Sequence, residues 1–197
     1  MPSKSVLKRG FKAEAERISE KLRVELGISK FNPLDAFVLA EYLNITVFSV
    51  DEIFSDNLSH PDYQIIQNPD KFSAVWIPNS KGEKIIIHNA KHSLYRQQSN
   101  LMHELSHIIR SHEVPLEIAI LCAQTGLHYY NKVQEQEAKH LGGCLQLPSA
   151  ALQWALKSGY SVEEISNYYC ASSDMVKYRL GISGAQKIIS NQKGKSA

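Results

Sequence analysis

The sequence is short of cysteine and of long apolar runs. It has three cysteines in 197 residues, Cys122, Cys144 and Cys170, and none of them shows C-x-x-C spacing. This argues against a disulfide framework and against a thiolate zinc site, and it suits a reducing cytoplasm. No apolar run approaches the roughly 18 residues of a membrane span, and residues 1–21 lack the apolar core of a signal peptide. We therefore expect a soluble, cytoplasmic protein with no membrane association.

The sequence also lacks an excess of charge of one sign. Twenty-two Lys and Arg residues stand against 20 Asp and Glu residues, which leaves a net charge of +2. Such a balance gives no electrostatic reason to expect binding to nucleic acid or to an anionic membrane. Hydrophobic residues make up 43% and charged residues 21%, values that exclude wholesale disorder. The length predicts one domain, with room for a small appendage.

Apolar spacing predicts helices in the first part of the chain and strands after them. An amphipathic helix is expected over 11–26, and a second helix is expected to begin at an Asn32 cap with Pro33 in its first position. We interpret the polar stretch 51–71 as a long loop. Strands are expected at 45–50, 73–78 and 83–90, the last two joined as a hairpin by the turn NSKG.

After residue 94 the pattern becomes helical again. Helices are expected around the H-E-x-x-H motif described below and at 115–123, 133–145, 149–158, 161–169 and 173–179, with caps at Ser149, Ser161 and Ser173. The order of helices, three strands and more helices predicts an α+β fold.

The most informative motif is His103-Glu104-Leu105-Ser106-His107, an H-E-x-x-H pattern on a predicted helix. Histidines four positions apart lie on one face, one turn from each other, where two ring nitrogens can reach a single Zn²⁺. Glu104 lies beside them, where it can act on a water at the metal rather than bind the metal. The alternative is a pair of surface histidines. Leu101 and Ile108, which would bury part of this helix, favour the metal site.

A catalytic zinc site needs a third protein ligand, and a later helix offers two glutamates. Glu135 and Glu137 lie in the stretch EQEA. Helical geometry puts Glu135 beside Ala138 and rotates Glu137 by about 200° from Glu135. We interpret Glu137 as part of a solvated acidic face. For Glu135, a ligand and a solvated side chain both remain open on spacing alone.

Together these stretches resemble the ImmA/IrrE family of small zinc-dependent peptidases. The resemblance rests on LMHELSHIIRSH after Tyr95-Arg96 and on EQEAKHLGGCLQLP, which is similar to the later E-x-E-A-N-x-F-A-x-x-L-L-M-P-like helix of the family. PLDAFVLAEYLNITV and the strand IIIHNA follow the same plan, so the resemblance covers most of residues 10–185.

The resemblance implies a small zincin-like domain in which a three-stranded sheet packs on the two motif helices. It implies zinc bound by His103, His107 and Glu135, with Glu104 as the catalytic acid and base. Family members are typically encoded by bacteria and their mobile elements, and several cut or otherwise inactivate a helix-turn-helix repressor and so switch on stress or transfer genes. The implied substrate is a partner protein of that kind.

The later helix departs from the family pattern. Lys139 stands where the family usually has Asn or Asp, and a lysine can only donate a hydrogen bond. Gly142 and Gly143 are predicted to soften the helix by about 1 kcal/mol each relative to alanine. These departures keep open a non-cleaving accessory protein, of the toxin–antitoxin or phage type, that sequesters its partner.

Other residues leave further alternatives open. The strand IIIHNA is a candidate to pair with an extended peptide at its edge. An oxyanion-stabilising donor could come from any of several side chains: His88, His92, His112, His128, His140, Tyr95, Tyr129 and Tyr130.

The last helices raise a third possibility. Residues 162–181 resemble a helix-turn-helix in which Lys177 and Arg179 are the cations of the second helix, but apolar spacing favours core packing over DNA reading. The corresponding alternative function is a DNA-associated regulator with structural zinc. We expect a metallopeptidase domain over 1–158, a helical appendage over 159–190 and a polar tail over 191–197.

Overall fold

A computed structural model describes residues 6–78, 81–112 and 131–185. Helices and strands follow one another within these ranges in this order: α1 Phe11–Glu25, α2 Ala36–Tyr42, β1 Thr46–Ser49, α3 Val50–Ile53, α4 Pro61–Ile66, β2 Ala74–Pro78, β3 Lys84–His88, α5 Leu94–Ile109, α6 Lys132–Gln146, α7 Ser149–Lys157, α8 Val162–Tyr168 and α9 Ser173–Ser183. The predicted α+β class is confirmed. The helix expected over 115–123 lies outside the described residues.

The second helix begins later than predicted. Its cap is Asp35, whose carboxylate accepts hydrogen bonds from the N–H groups of Phe37 and Val38. Asn32 and Pro33 therefore lie ahead of the helix, and the expected cap at Asn32 is wrong.

The expected loop over 51–71 is also wrong, because two short helices lie there. Ser49 and Glu52 close a capping box at the start of α3, and Pro61 takes the first position of α4 after the His60 cap. These helices have four and six residues, too few to show a helical period in the sequence.

The later caps were predicted with mixed success. The capping box of Ser161 and Glu164 is confirmed. The cap of α9 is Ser172 rather than Ser173, and the cap of α7 is Pro148 rather than Ser149.

The three strands form one sheet in the order β1-β3-β2. Strand β3 pairs in parallel with β1, where Thr46 faces Ile85, and antiparallel with β2, where Trp76 faces Ile86. The IIIHNA strand is therefore central and both of its edges are occupied, so the prediction that it offers an edge to a peptide is wrong. Within the described part of the chain, β1 and β2 are the two edge strands, and β2 is the first strand of the hairpin that it forms with β3.

Two apolar clusters fill the interior of the described ranges. The first joins α1, α2, β3, α5 and α6 through residues such as Leu39, Ile86, Leu105 and Leu145. The second joins α7, α8 and α9 through Leu152, Ile165 and Val176. This second cluster includes α7, which precedes the domain boundary expected between residues 158 and 159. The boundary itself stays a prediction. No helix among the described residues is both long enough and apolar enough to cross a bilayer.

Candidate metal centre

Helices α5 and α6 pass close to each other beside the H-E-x-x-H motif. Leu101, Met102 and Leu105 of α5 are fully buried, and so is Leu141 of α6. A Cβ added at Gly142 would lie 3.1 Å from the Met102 carbonyl oxygen and 3.3 Å from the His103 nitrogen. The missing side chain thus lets the two backbones approach at His103. From the sequence alone, only the lower helix propensity of this glycine could be predicted, not its role in packing.

This approach brings together three donor atoms. The Nε2 atoms of His103 and His107 lie 3.1 Å apart. One Glu135 oxygen lies 3.2 Å from His103 Nε2 and the other lies 3.5 Å from His107 Nε2. Four ligands placed tetrahedrally at 2.0–2.1 Å from Zn²⁺ are about 3.3–3.4 Å from one another. The spacing and the chemistry of this donor set therefore fit a zinc ion.

The donor group is open to solvent on one side. The side chains of His103 and Glu135 are each 32% exposed, whereas that of His107 is 10% exposed. Among the described residues, no other group of three or more His, Cys, Asp or Glu side chains is arranged to hold a metal.

The surroundings of the donor group set its charge. Burial and the charge of His103 lower the pKa of His107 to about 4, so this imidazole is neutral at pH 7. The hydrogen bond with His103 lowers the pKa of Glu135, which keeps its carboxylate ionised. Burial acts to lower the pKa of His103, but the hydrogen bond with Glu135 and the charge of Glu104 outweigh it and raise the pKa. Neutral imidazole and ionised carboxylate are the forms that bind divalent metals.

Glu104 lies beside the donor group and contacts the sheet. Its Oε2 accepts a hydrogen bond of 3.1 Å from the Trp76 N–H of strand β2. Burial raises the pKa of Glu104 to about 7, although the charge of His103 and the bond from Trp76 act in the opposite direction. The helix therefore presents a carboxyl group that exchanges a proton near neutral pH.

Glu137 is not part of a solvated face, and that interpretation is wrong. Its side chain is 8% exposed. One of its oxygens accepts a hydrogen bond from Arg110 Nε and lies 3.2 Å from His112 Nε2. The end of α5 covers this side of α6, which helical spacing alone could not show. The available signal was the pair Arg110 and His112, which directly follows the motif helix.

The described oxyanion candidates other than His112 are engaged elsewhere. The Tyr95 hydroxyl donates to Asn167, and the His92 ring lies between the Pro69 carbonyl and Asn100. His88 packs edge-on against Phe37, and His140 packs against Phe11. His128, Tyr129 and Tyr130 lie outside the described residues.

Two basic residues singled out in the sequence have distinct environments. Lys139 is exposed, with its ammonium 5.4 Å from the centre of the Tyr178 ring. Arg179 is fully buried and donates hydrogen bonds to the Leu147 carbonyl and to Glu16. Arg179 is therefore not available to bind a DNA phosphate.

Comparison with known proteins adds a family and a fold. A peptidase family model described as the IrrE N-terminal-like domain matches residues 39–181. No curated protein matches the chain. A solved structure of a Mycobacterium tuberculosis transcriptional regulator is similar, with a TM-score of 0.50 and 13% identity over 88% of this chain and 47% of that one. The chain thus spans about half the length of that structure, and the likeness concerns the fold alone.

Proposed function

The chain belongs to the IrrE N-terminal-like domain family of peptidases, and on this basis we propose that it is a zinc-dependent endopeptidase that cuts a partner protein. The observation that carries the proposal is the donor group of His103, His107 and Glu135. Its atoms are spaced as the ligands of a tetrahedral zinc ion are, beside a glutamate that is not one of them.

Each donor residue is prepared for this role in a different way. His107 offers a neutral imidazole and Glu135 offers an ionised carboxylate, so neither carries an excess proton that has to be lost on binding. The hydrogen bond that His103 shares with Glu135 favours its protonated form, with which a metal ion would compete for the ring nitrogen. When bound, zinc would supply Lewis-acid polarisation of the scissile carbonyl and would lower the pKa of water.

Glu104 is the proposed general base and acid. The Trp76 N–H holds one carboxylate oxygen and so fixes the orientation of the group. The other oxygen accepts a proton from the attacking water and later delivers it to the leaving amine. A pKa of about 7 suits this role, because both protonation states are populated near neutral pH.

The proposed substrate is a protein segment in an extended conformation, and a helix-turn-helix repressor is the proposed partner. Strand β2 lies at the edge of the sheet and its Trp76 bonds to Glu104. A segment that adds to this edge by strand pairing would pass beside Glu104. The repressor comes from the resemblance to the ImmA/IrrE family, several of whose members inactivate such proteins.

The test compares the wild-type chain with Glu104→Gln on a repressor encoded beside its gene. Both proteins should hold one equivalent of zinc by metal analysis, because Glu104 is not a ligand. Wild type should release two fragments, identified by mass spectrometry, and Glu104→Gln should do so about 10²–10⁴-fold more slowly.

Two results would contradict the proposal. If both proteins leave the repressor intact but block its binding to DNA, the chain sequesters its partner without cutting it. Lys139, which stands where the family has Asn or Asp, would be consistent with that outcome. If the wild type binds Mn²⁺ or Co²⁺ tightly and zinc only weakly, the peptidase is not a zinc enzyme, since the same donors accept these ions.

A further inference from the structure

A second layer of polar side chains lies behind His107, on the side away from the donor group. It consists of His112, Glu137 and Arg110. We propose that His112 and Glu137 are positioning residues, which hold His107 in the tautomer and orientation that present Nε2 to the metal. This inference rests on the proposed function, because it takes His107 as a metal ligand.

The contacts form a continuous line from His107 to the interior. His107 Nδ1 lies 3.0 Å from His112 Nδ1, and His112 Nε2 lies 3.2 Å from Glu137 Oε2. All three residues are buried. Water therefore does not replace these partners, and a hydrogen bond lost here would leave a buried polar group unsatisfied.

The position of each hydrogen in this line follows from the first one. A histidine that binds a metal through Nε2 carries its hydrogen on Nδ1. His107 Nδ1–H then donates to His112 Nδ1, which must be without a hydrogen. The hydrogen of His112 is therefore on Nε2, where it donates to the Glu137 carboxylate. If His112 carried its hydrogen on Nδ1 instead, the hydrogen of His107 would be on Nε2, in the place of the metal.

The end of helix α5 explains why a residue five positions after His107 can reach it. Ser111 takes the left-handed conformation, with φ of 50°. The His112 N–H donates to the His107 carbonyl at 2.9 Å, and the Ser111 N–H donates to the Ile108 carbonyl at 3.1 Å. This pair of bonds is a Schellman termination, which folds the chain back along the last turn of the helix. The imidazole of His112 is thereby laid against that of His107.

The far end of the line is anchored to another helix. Arg110 donates through Nε to Glu137 and through a terminal nitrogen to Glu14 of α1, the latter at 2.7 Å. Its guanidinium lies 5.1 Å from the centre of the Phe11 ring, also in α1. The carboxylate that receives the hydrogen of His112 is therefore held by a fixed cation.

Zinc affinity of the full chain, measured by competition with a chromogenic chelator, tests the proposal. His112→Ala should lower the affinity about 10–100-fold, the usual cost of losing a partner of a ligating histidine. His112→Asn should recover most of the loss, because its side-chain oxygen lies near the position of Nδ1 and can accept from His107. The matched control is His92→Ala, since His92 is buried to a similar degree, 6% against 7% exposed, but bonds to Pro69 and Asn100. It should keep the wild-type affinity.

A spectroscopic measurement on the wild type covers the case in which His112→Ala does not fold. Long-range ¹H–¹⁵N NMR of the zinc-loaded chain should show hydrogen on Nδ1 of His107 and on Nε2 of His112. A hydrogen on His112 Nδ1 would overturn the proposal, and so would a wild-type zinc affinity in His112→Ala. If the wild type binds no zinc, the proposed function fails as well. If the wild type binds zinc and His112→Ala binds it equally well, only the positioning role fails.

Discussion

Glu135 and Glu137 stand two positions apart on one helix and serve different parts of the structure. Glu135 faces the two motif histidines across the gap between α5 and α6. Glu137 points into the protein, to Arg110 and His112. The rotation of about 200° between them follows from helical geometry. What covers each face follows from the neighbouring helix.

Substituting each glutamate in turn should separate these roles. Glu135→Ala removes a proposed ligand, so zinc affinity should fall by more than about 100-fold, beyond the 10–100-fold typical of a lost orienting partner. For Glu137→Ala, the loss of zinc affinity should lie within this smaller range of about 10–100-fold. Metal analysis after mild chelation measures both, with the exposed Gln136→Ala as the control that stays loaded. A loaded Glu135→Ala beside an empty Glu137→Ala would reverse the assignment.

The H-E-x-x-H residues could be found from sequence because their geometry is local to one helix. His112 could not be assigned in this way. Its position depends on a left-handed turn at Ser111, where the sequence offers no glycine to mark the end of the helix. The burial of Glu137 depends on the same turn. Because no residue in the sequence marks this helix end, neither the position of His112 nor the burial of Glu137 could be predicted.

At the scale of helices and strands, the start of α2 shows what decides between two permitted caps. Asn32 and Asp35 both suit a helix start. Gln98 of α5 donates to the Asp35 carboxylate and accepts from the Ala36 N–H, each at 2.7 Å. This contact between distant segments favours Asp35. The capping box of Ser161 and Glu164 needed no such partner, and it was predicted correctly.

The glycines of α6 also depend on their neighbours. A Cβ at Gly143 would lie 2.9 Å from Cδ of Arg179, whose guanidinium is fixed by hydrogen bonds to the Leu147 carbonyl and Glu16. The side chain of Arg179 therefore cannot move aside without losing buried hydrogen bonds.

Replacing glycine by alanine should therefore have opposite effects at two positions. Gly143→Ala gains about 1 kcal/mol of helix propensity but overpacks the interior, and the free energy of unfolding should fall by about 1–2 kcal/mol. Gly181→Ala, in α9 with nothing within 4 Å of the added atom, should raise it by about 0.5–1 kcal/mol. Urea denaturation of both variants measures the difference. If Gly143→Ala instead stabilised the protein, the side chain of Arg179 would have to move aside at little cost in free energy.

At the scale of the whole molecule, two buried arginines hold the C-terminal end of α6. Arg23 of α1 donates to the Leu145 carbonyl, and Arg179 of α9 donates to the Leu147 carbonyl, at 2.7 and 2.8 Å. These carbonyls have no partner within the helix, so the arginines satisfy them. The helix that carries Glu135 is thereby tied to both ends of the described chain.

His140 lies at this junction and should make stability depend on pH. Burial, together with the positive charges of Arg179 and Lys12, lowers the pKa of His140 to about 4. An unfolded histidine has a pKa near 6.5. Between these values the unfolded chain takes up a proton that the folded chain does not, so the free energy of unfolding falls as pH decreases from about 6.5 towards 4.

His140→Gln should remove this part of the pH dependence. Urea denaturation at pH 7 and pH 5, with a chelator present in every sample, should show the variant losing about 1–2 kcal/mol less than the wild type on acidification. Equal losses in the two proteins would mean that His140 accepts its proton in the folded state.

The contact between Gly143 and Arg179 also constrains how the sequence can change over time. A side chain at 143 requires a shorter one at 179, while a shorter side chain at 179 leaves the Leu147 carbonyl and Glu16 without their partner. Either change alone is costly, and the two together are expected to be non-additive. Among relatives of this chain, substitutions at positions 143 and 179 should therefore occur together in the same lineages. A substitution at only one of the two positions should be rare.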